Sequence, residues 1–301
     1  MRLAITGGTG FVGAHLLDVA DEAGHEVNAL TRRDQPPREL VRWVPGRLED
    51  RGSLEALLAG AEAVIHVAGV ISAPNAAAFE LGNVAGTLAM LAAATAAGVR
   101  RFVHVSSLAA REPRLSLYGA SKRRSEDLVM SSGLDWAIVR PPAVYGPGDT
   151  ETLELFRMAK LRLMLMPPRG RVSVIHARDL GRLLIAQAGP SAPSNILIEA
   201  DDGKAGGWTH REFARALGQA VGTRPAIVSS PGILLRLAAR ADQLVRGPKA
   251  KLTVDRAAYF SHRNWVVEPK RACPPQLWHP QIPTEQGLAE TAAWYRGEGW
   301  L

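Results

Sequence analysis

The sequence predicts an α/β protein, a doubly wound parallel sheet followed by a smaller, mainly helical lobe. Two observations predict this. Strand-length apolar runs alternate with helix-length segments through the first half, and after Pro141-Pro142 the alternation loosens into helical pieces separated by Pro/Gly turns. Alternation of this kind calls for βαβ crossovers, which set strands parallel and cover both faces of the sheet with helices. In order, strands are expected at 3–6, 26–30, 63–67, 101–106 and 135–140, with helices at 11–23, 76–98 and 117–131. The first domain is expected over 1–149 and the second lobe over 150–301. That lobe should carry helices near 150–166, 179–188, 209–221, 231–246 and 285–297, and hand a strand back to the sheet near 195–199.

Composition sets the outer limits. The 301 residues are 47% hydrophobic and 22% charged, far from the low-apolar, high-charge corner of disordered chains. The single cysteine, Cys273, excludes an intrachain disulfide, and no Cys/His spacing suggests a metal site, so a reducing, cytoplasmic setting fits. The longest apolar candidate, 88–99, falls short of the ~20 residues that span a bilayer, and no transmembrane segment is expected. The first strand begins directly after Met1, which leaves no room for a cleavable signal.

The net charge of +7 is unevenly spread: 157–182 and 231–271 each carry +6, and the remainder carries −5. No like-charge block of the kind found in nucleic-acid arms occurs, so nucleic acid is not expected as a partner. Solvated helix faces explain most of this charge. An anionic substrate, or a lipid headgroup surface near the basic apolar segment 232–245, is the functional alternative.

Residues 6–13 read TGGTGFVG. Gly8, Gly10 and Gly13 fit GxGxxG, and Gly7, Gly10 and Gly13 fit GxxGxxG; either pattern is weak alone. Here it follows a strand and opens a helix, where glycines allow close backbone approach and the helix N-terminus offers free N–H groups to a pyrophosphate. That context predicts a Rossmann-type dinucleotide site. Where an NAD enzyme places an acid at the end of the second strand, this chain has Thr31-Arg32-Arg33. A guanidinium at Arg32 suits a 2′-phosphate and favours NADP(H), while the adjacent Asp34 leaves NAD(H) open.

Tyr118-Gly-Ala-Ser-Lys122 puts a phenol and an ammonium four residues apart on one helix face. A free phenol with a pKa of about 10 is a sluggish acid or base at neutral pH, and a neighbouring ammonium makes it usable. Ser106 and Ser107 end the preceding strand, at the edge of the sheet where such folds bind ligands. His66 and His104 lie in apolar strand runs and read as packing residues; Asp179 reads as a helix N-terminal partner.

With these motifs in order, the chain resembles the extended short-chain dehydrogenase/reductase superfamily, the NAD(P)-dependent epimerase/dehydratase group. The resemblance rests on TGGTGFVG, Asn83-Val-Ala-Gly-Thr87, FVHVSS at 102–107, YGASK at 118–122, RPPAVYGPGD at 140–149 and the 174–180 segment. The stretch 231–267 is most similar to the dihydroflavonol-reductase and 3β-hydroxysteroid-dehydrogenase-like branch.

The resemblance implies catalytic roles for Tyr118 (acid/base), Lys122 (nicotinamide ribose and Tyr118 tuning) and Ser107 (holding the reacting oxygen), with Ser106 as the alternative serine. It also implies cofactor contacts at Gly7, Thr9, Gly10, Phe11, Val12, Gly13, Leu48, Ala68, Pro141 and Val144. Tyr145, Arg169 and Arg171 are candidate substrate contacts. The expected activity is NADP(H)-dependent hydride transfer to or from a carbonyl or alcohol of a small, anionic or lipid-like molecule. A sugar-nucleotide epimerase or dehydratase with retained cofactor, and a non-catalytic NADPH-binding accessory protein, are the alternatives. A homodimer is compatible with either.

Overall fold

A computed structural model describes residues 1–247 and 254–301. Lys249 and Lys251, counted in the basic stretch above, lie outside the described residues. The chain forms two compact units that interleave along the sequence: Met1–Pro141, Ala177–Ala200 and Pro269–His279 make the first, and Pro142–His176, Asp201–Glu268 and Pro280–Leu301 the second. The division therefore does not fall once, at 149/150. It recurs because the returning strand anticipated near 195–199 brings its preceding helix back with it.

The first unit is built on seven parallel strands. Chain order gives β1 (Arg2–Thr6), α1 (Phe11–Glu22), β2 (Glu26–Thr31), β3 (Val41–Pro45), α2 (Arg51–Leu58) and β4 (Ala63–His66). There follow α3 (Ala76–Phe79), a π-helical segment (Glu80–Ala85), α4 (Gly86–Ala96), β5 (Arg101–Val105), a 3-10 turn (Leu108–Arg111), α5 (Leu117–Met130) and β6 (Asp135–Arg140). After β7 (Ala143–Tyr145), α6 (Leu153–Lys160), β8 (Leu163–Met166), β9 (Arg171–Val172) and β10 (Val174–His176) in the second unit, the chain returns as α7 (Ala177–Ala188) and β11 (Ile196–Glu199). The strand order β11-β6-β5-β4-β1-β2-β3 reverses direction between β1 and β4, and ligands of doubly wound sheets bind outside the strand ends at such a switch point.

Burial explains the strands. Leu3, Ala4, Ile5, Val64, Ile65, Phe102, Val103, Ile138 and Val139 are fully buried, as expected of parallel strands covered on both faces. The α3, π and α4 pieces run on as one helix, Ala76–Ala96, with a mean hydropathy of 1.4 over its most apolar window. By length and composition alone it could cross a bilayer, which corrects the expectation that no apolar run is long enough. The apolar residues Ala76–Phe79 lengthen the run expected at 88–99. In the fold this helix lies against α2, α5 and β4.

The second unit continues with β12 (Trp208–Thr209), α8 (His210–Val221), β13 (Ala226–Ser229), α9 (Gly232–Arg246), α10 (Val254–Ser261), β14 (Asn264–Trp265) and α11 (Thr284–Gly297). Its core gathers Tyr145, Phe156, Met164, Trp208, Phe213, Leu288 and Tyr295. The helix expected over 150–166 stops at Lys160. Arg162 turns the chain through a left-handed conformation (φ 62°), and Leu163–Met166 then alternates exposed and buried side chains as a strand paired with β13. The α8 helix opens with the capping box Thr209/Glu212 and closes at Gly222, as its sequence dictates.

Candidate active site

The glycine loop connects β1 to α1 with little room to spare. Gly7 adopts φ 77°, and a Cβ on Gly13 would lie 2.0 Å from the Gly7 carbonyl oxygen. Helix and loop backbones therefore approach as only glycine allows. Gly10 caps α1 without a side-chain hydrogen bond, and Thr9 and Gly10 are exposed with Phe11 and Val12 half-buried beside them. This open N-terminus with unused N–H groups fits a pyrophosphate.

Thr6 Oγ1 accepts from the Ala68 amide at 3.3 Å, tying the loop after β4 to the loop after β1, and Leu48 is half-buried against the core. At the end of β2 the Thr31 hydroxyl donates to the Arg33 carbonyl at 2.6 Å and accepts from its amide at 3.2 Å. The turn leaves Arg32 exposed, with no side-chain partner among the described residues. The residues present thus fit a dinucleotide.

The chemistry-bearing side chains converge at the ends of β5 and α5. Ser107 caps the 3-10 turn, accepting from the Ala109 amide at 3.2 Å, and its hydroxyl is near enough to the Tyr118 phenol to influence its titration. Burial pushes the Tyr118 pKa up, and the Ser107 contact pulls it back down in part. Ser116 caps α5 by accepting from the Gly119 amide at 2.9 Å, which orients the first turn carrying Tyr118. One turn on, Lys122 is buried and its Nζ donates to the Val105 carbonyl at 2.7 Å. Loss of water brings its pKa down to about 8, with Glu126 pushing the other way.

Ser106, the alternative serine, is engaged elsewhere: its hydroxyl donates to Glu126 Oε1 at 2.5 Å. Pro141 ends the first unit, its carbonyl accepting from the Leu108 amide at 3.0 Å. The remaining candidates lie in the second unit. Val144 is half-buried in β7, and Tyr145 is fully buried with its ring edge-on to His176. Arg171 donates to the carbonyls of Gly206 and Gly207, and Arg169 is exposed on the loop before β9.

Two contributors carried no assigned role from sequence. Asn83, in the π-helical segment, accepts from the Val70 amide at 2.7 Å and donates to the Val70 carbonyl at 3.0 Å and to the Ser121 hydroxyl at 2.9 Å. It fastens the loop after β4 to the helix that bears Tyr118 and Lys122; such π segments recur at functional sites. Gly69, in that loop, sits so close that a Cβ there would be 3.9 Å from Lys122 Nζ. Glu126 is the second, one helical turn past Lys122 and wholly buried. The motif Asn83-Val-Ala-Gly-Thr87 was the signal for the first; nothing in the LYGASKRRSEDLVM sequence of α5 singles out the second.

Comparison with known proteins identifies the family. The model of the NAD dependent epimerase/dehydratase family matches residues 3–186. The chain is 38% identical to a ceramide reductase of Caulobacter vibrioides over 99% of its own length and 96% of the relative's. It is 31% identical to a 4-hydroxy-2-methyl-3-oxo-4-farnesyl-3,4-dihydroquinoline-1-oxide ketoreductase of Stigmatella aurantiaca, over 66% of this chain and 68% of that one. Among solved structures, MoeE5 in complex with UDP-glucose and NAD shares the fold, with a TM-score of 0.72 and 21% identity over 99% of both chains. The chain is an NAD(P)-binding enzyme of the extended short-chain dehydrogenase/reductase type, and it belongs to the NAD dependent epimerase/dehydratase family.

Proposed function

We propose that this enzyme uses NADPH to reduce a ketone on an amphipathic lipid, an N-acyl amino ketone that becomes the secondary alcohol of a ceramide-like product. The observation that carries this reading is the end-to-end similarity to a ceramide reductase, which spans the second half of the chain as well as the glycine loop. When bound, the nicotinamide supplies the hydride. The chain's own residues supply everything else. Ser107 holds the carbonyl oxygen by hydrogen bonding. Tyr118, kept protonated by burial, gives that oxygen its proton. Lys122, as an ammonium, steadies the phenolate left behind and holds the nicotinamide ribose. Gly7, Gly10 and Gly13 with the α1 amides hold the pyrophosphate, and Arg32 takes the 2′-phosphate, which is the basis for preferring NADPH to NADH.

The test is to supply purified protein with NADPH and an N-acyl amino ketone and follow cofactor oxidation. One NADPH consumed per alcohol formed supports the reading. Purification with tightly retained NAD and no net consumption would instead indicate an epimerase or dehydratase. Bound NADPH that turns over on no ketone would indicate an accessory role.

A further inference from the structure

We propose that the second unit docks on an anionic phospholipid surface through the outer face of the β8/β13 ribbon and the exposed stripe of α9. The proposal stands on the surface itself and not on the identity of the substrate. Of the thirteen exposed large apolar side chains among the described residues, eight lie in 161–260. In β8, Met164 and Met166 point into the core while Leu163 and Leu165 face out, and Val228 on β13, directly opposite Leu165, is also exposed. A ribbon with one solvated face would ordinarily place polar side chains there. Leu161, on the turn that enters the ribbon, is 79% exposed.

The ribbon leads straight into the helix. The Ser230 amide donates to the Met166 carbonyl at 2.8 Å, so α9 starts from the end of β8. Ile233, Leu237, Arg240 and Leu244 recur at helical spacing and are all exposed, Leu244 by 87%, while Ala239 on another face is buried. An apolar stripe turned to solvent along a helix is the signature of an interfacial element. Patches of this kind mark binding surfaces.

Charge decides the occupant. Lys160, Arg162 and Arg224 flank the entry to the ribbon, and Arg240 interrupts the helical stripe. All four are exposed, and none has a carboxylate partner among the described residues. The Arg162 carbonyl accepts from the Ala226 amide at 2.9 Å, which keeps the two flanking loops together. Unpaired cations around exposed leucines match a bilayer with anionic headgroups: the cations meet phosphate, and the leucines enter the headgroup–acyl boundary. A purely apolar protein partner would leave those cations without counter-charges.

Vesicle co-sedimentation of the full chain tests this directly and needs no turnover. Vesicles of phosphatidylcholine containing about one third phosphatidylglycerol are compared with phosphatidylcholine alone. Wild type is expected to bind the anionic vesicles about tenfold more tightly, and added salt should erase most of that margin. Leu165→Ser with Leu237→Ser should weaken binding to both vesicle types by roughly tenfold or more. Arg162→Glu with Arg240→Glu should weaken only the anionic case. The charge variant touches exposed positions and guards against misfolding of the apolar one; NADPH binding by both serves as the control. Wild type that stays in solution with anionic vesicles, or variants that bind like wild type, would overturn the proposal. So would a dimer in sedimentation velocity that the apolar variant dissolves while vesicle binding is absent, since the face would then belong to a second copy.

Discussion

At the scale of single residues, the most informative group is Lys122. Its ammonium is held at about pH 8 by burial, and in the proposed reduction it must be charged to support Tyr118. The value of kcat/KM should therefore be level below about pH 8 and fall as pH rises through it, because kcat/KM reports the free enzyme's groups. A profile flat to pH 10 would contradict this. The same depression has a cost: the unfolded chain binds this proton more tightly than the native one, so native stability rises with pH between about 8 and the ordinary lysine value. At neutral pH the penalty is on the order of 3 kcal/mol.

Lys122→Met should remove that penalty, lose about 1 kcal/mol with the bond to Val105, and give a more stable, inactive protein in denaturant titrations. Tyr118→Phe should lower kcat by ~10² or more with cofactor affinity nearly unchanged, and normal turnover would remove it as the acid. Arg32→Ala should weaken NADPH by tenfold or more and NADH hardly at all; equal losses would refute the 2′-phosphate role.

At the scale of elements, β4 and β5 each carry a histidine through the middle of the sheet. His66 and His104 are both fully buried and stacked with centroids 5.6 Å apart. His66 is held between the Thr6 and Thr87 hydroxyls, and His104 meets the Ser125 hydroxyl at 3.0 Å. Burial first, and then the nearby Lys122 charge, brings His66 to about 3 and His104 well below its ordinary value, so both are neutral in the native state. An unfolded histidine takes up its proton near pH 6.5. The contribution of His66 is therefore complete above that pH and is lost as pH falls towards 3, and that of His104 declines in the same direction. Each contributes a slope of up to about 1.4 kcal/mol per pH unit in that window. His66→Gln, which can keep hydrogen bonds to both threonines, should flatten the decline between pH 6.5 and 4 in denaturant titrations. An unchanged slope would show that His66 does not titrate there.

The histidines were readable as packing residues because they sit within apolar strand runs, and the strands themselves were readable from those runs. The apolar runs did not mark β3 or α2: β3 reads VRWVP, with Arg42 exposed and Pro45 at its end, so its burial alternates weakly. The β8 strand was absorbed into a helix because LELFRMAKLRLMLM fits either period over short spans. The break is made by the backbone turn at Arg162, which no residue type there announces.

At the scale of the whole molecule, the chain contributes three passages to the first unit, and one buried ion cluster touches each of them. Arg140 is the last strand residue before the first departure, and Glu199 is its register partner just before the second. Arg140 clamps Glu126 of α5 through two bonds of 2.7 Å and reaches Glu199 at 3.4 Å; Glu199 also meets Arg111 at 3.4 Å and Arg271, on the third passage, at 4.0 Å. Glu126 and Glu199 are wholly inaccessible. None of this was legible in sequence. DWAIVR and ILIE read as strands whose terminal charges should face water, and nothing local says that two carboxylates and a guanidinium from 126, 140 and 199 will meet.

The glycine loop and the YGASK turn were legible for the opposite reason: their partners lie within a few residues, whereas a pairing across 59 positions exists only once the sheet is assembled. Such a cluster is costly to break even if it adds little by being there. Arg140→Leu would leave buried Glu126 without its counter-charge and take one of three arginines from Glu199, and should cost about 3–5 kcal/mol in denaturant unfolding. Adding Glu126→Leu should recover part of that loss, since it removes the orphaned charge at the cost of the Ser106 hydroxyl's acceptor. If Arg140→Leu unfolds within about 1 kcal/mol of wild type, the cluster does not bind the three passages into one unit.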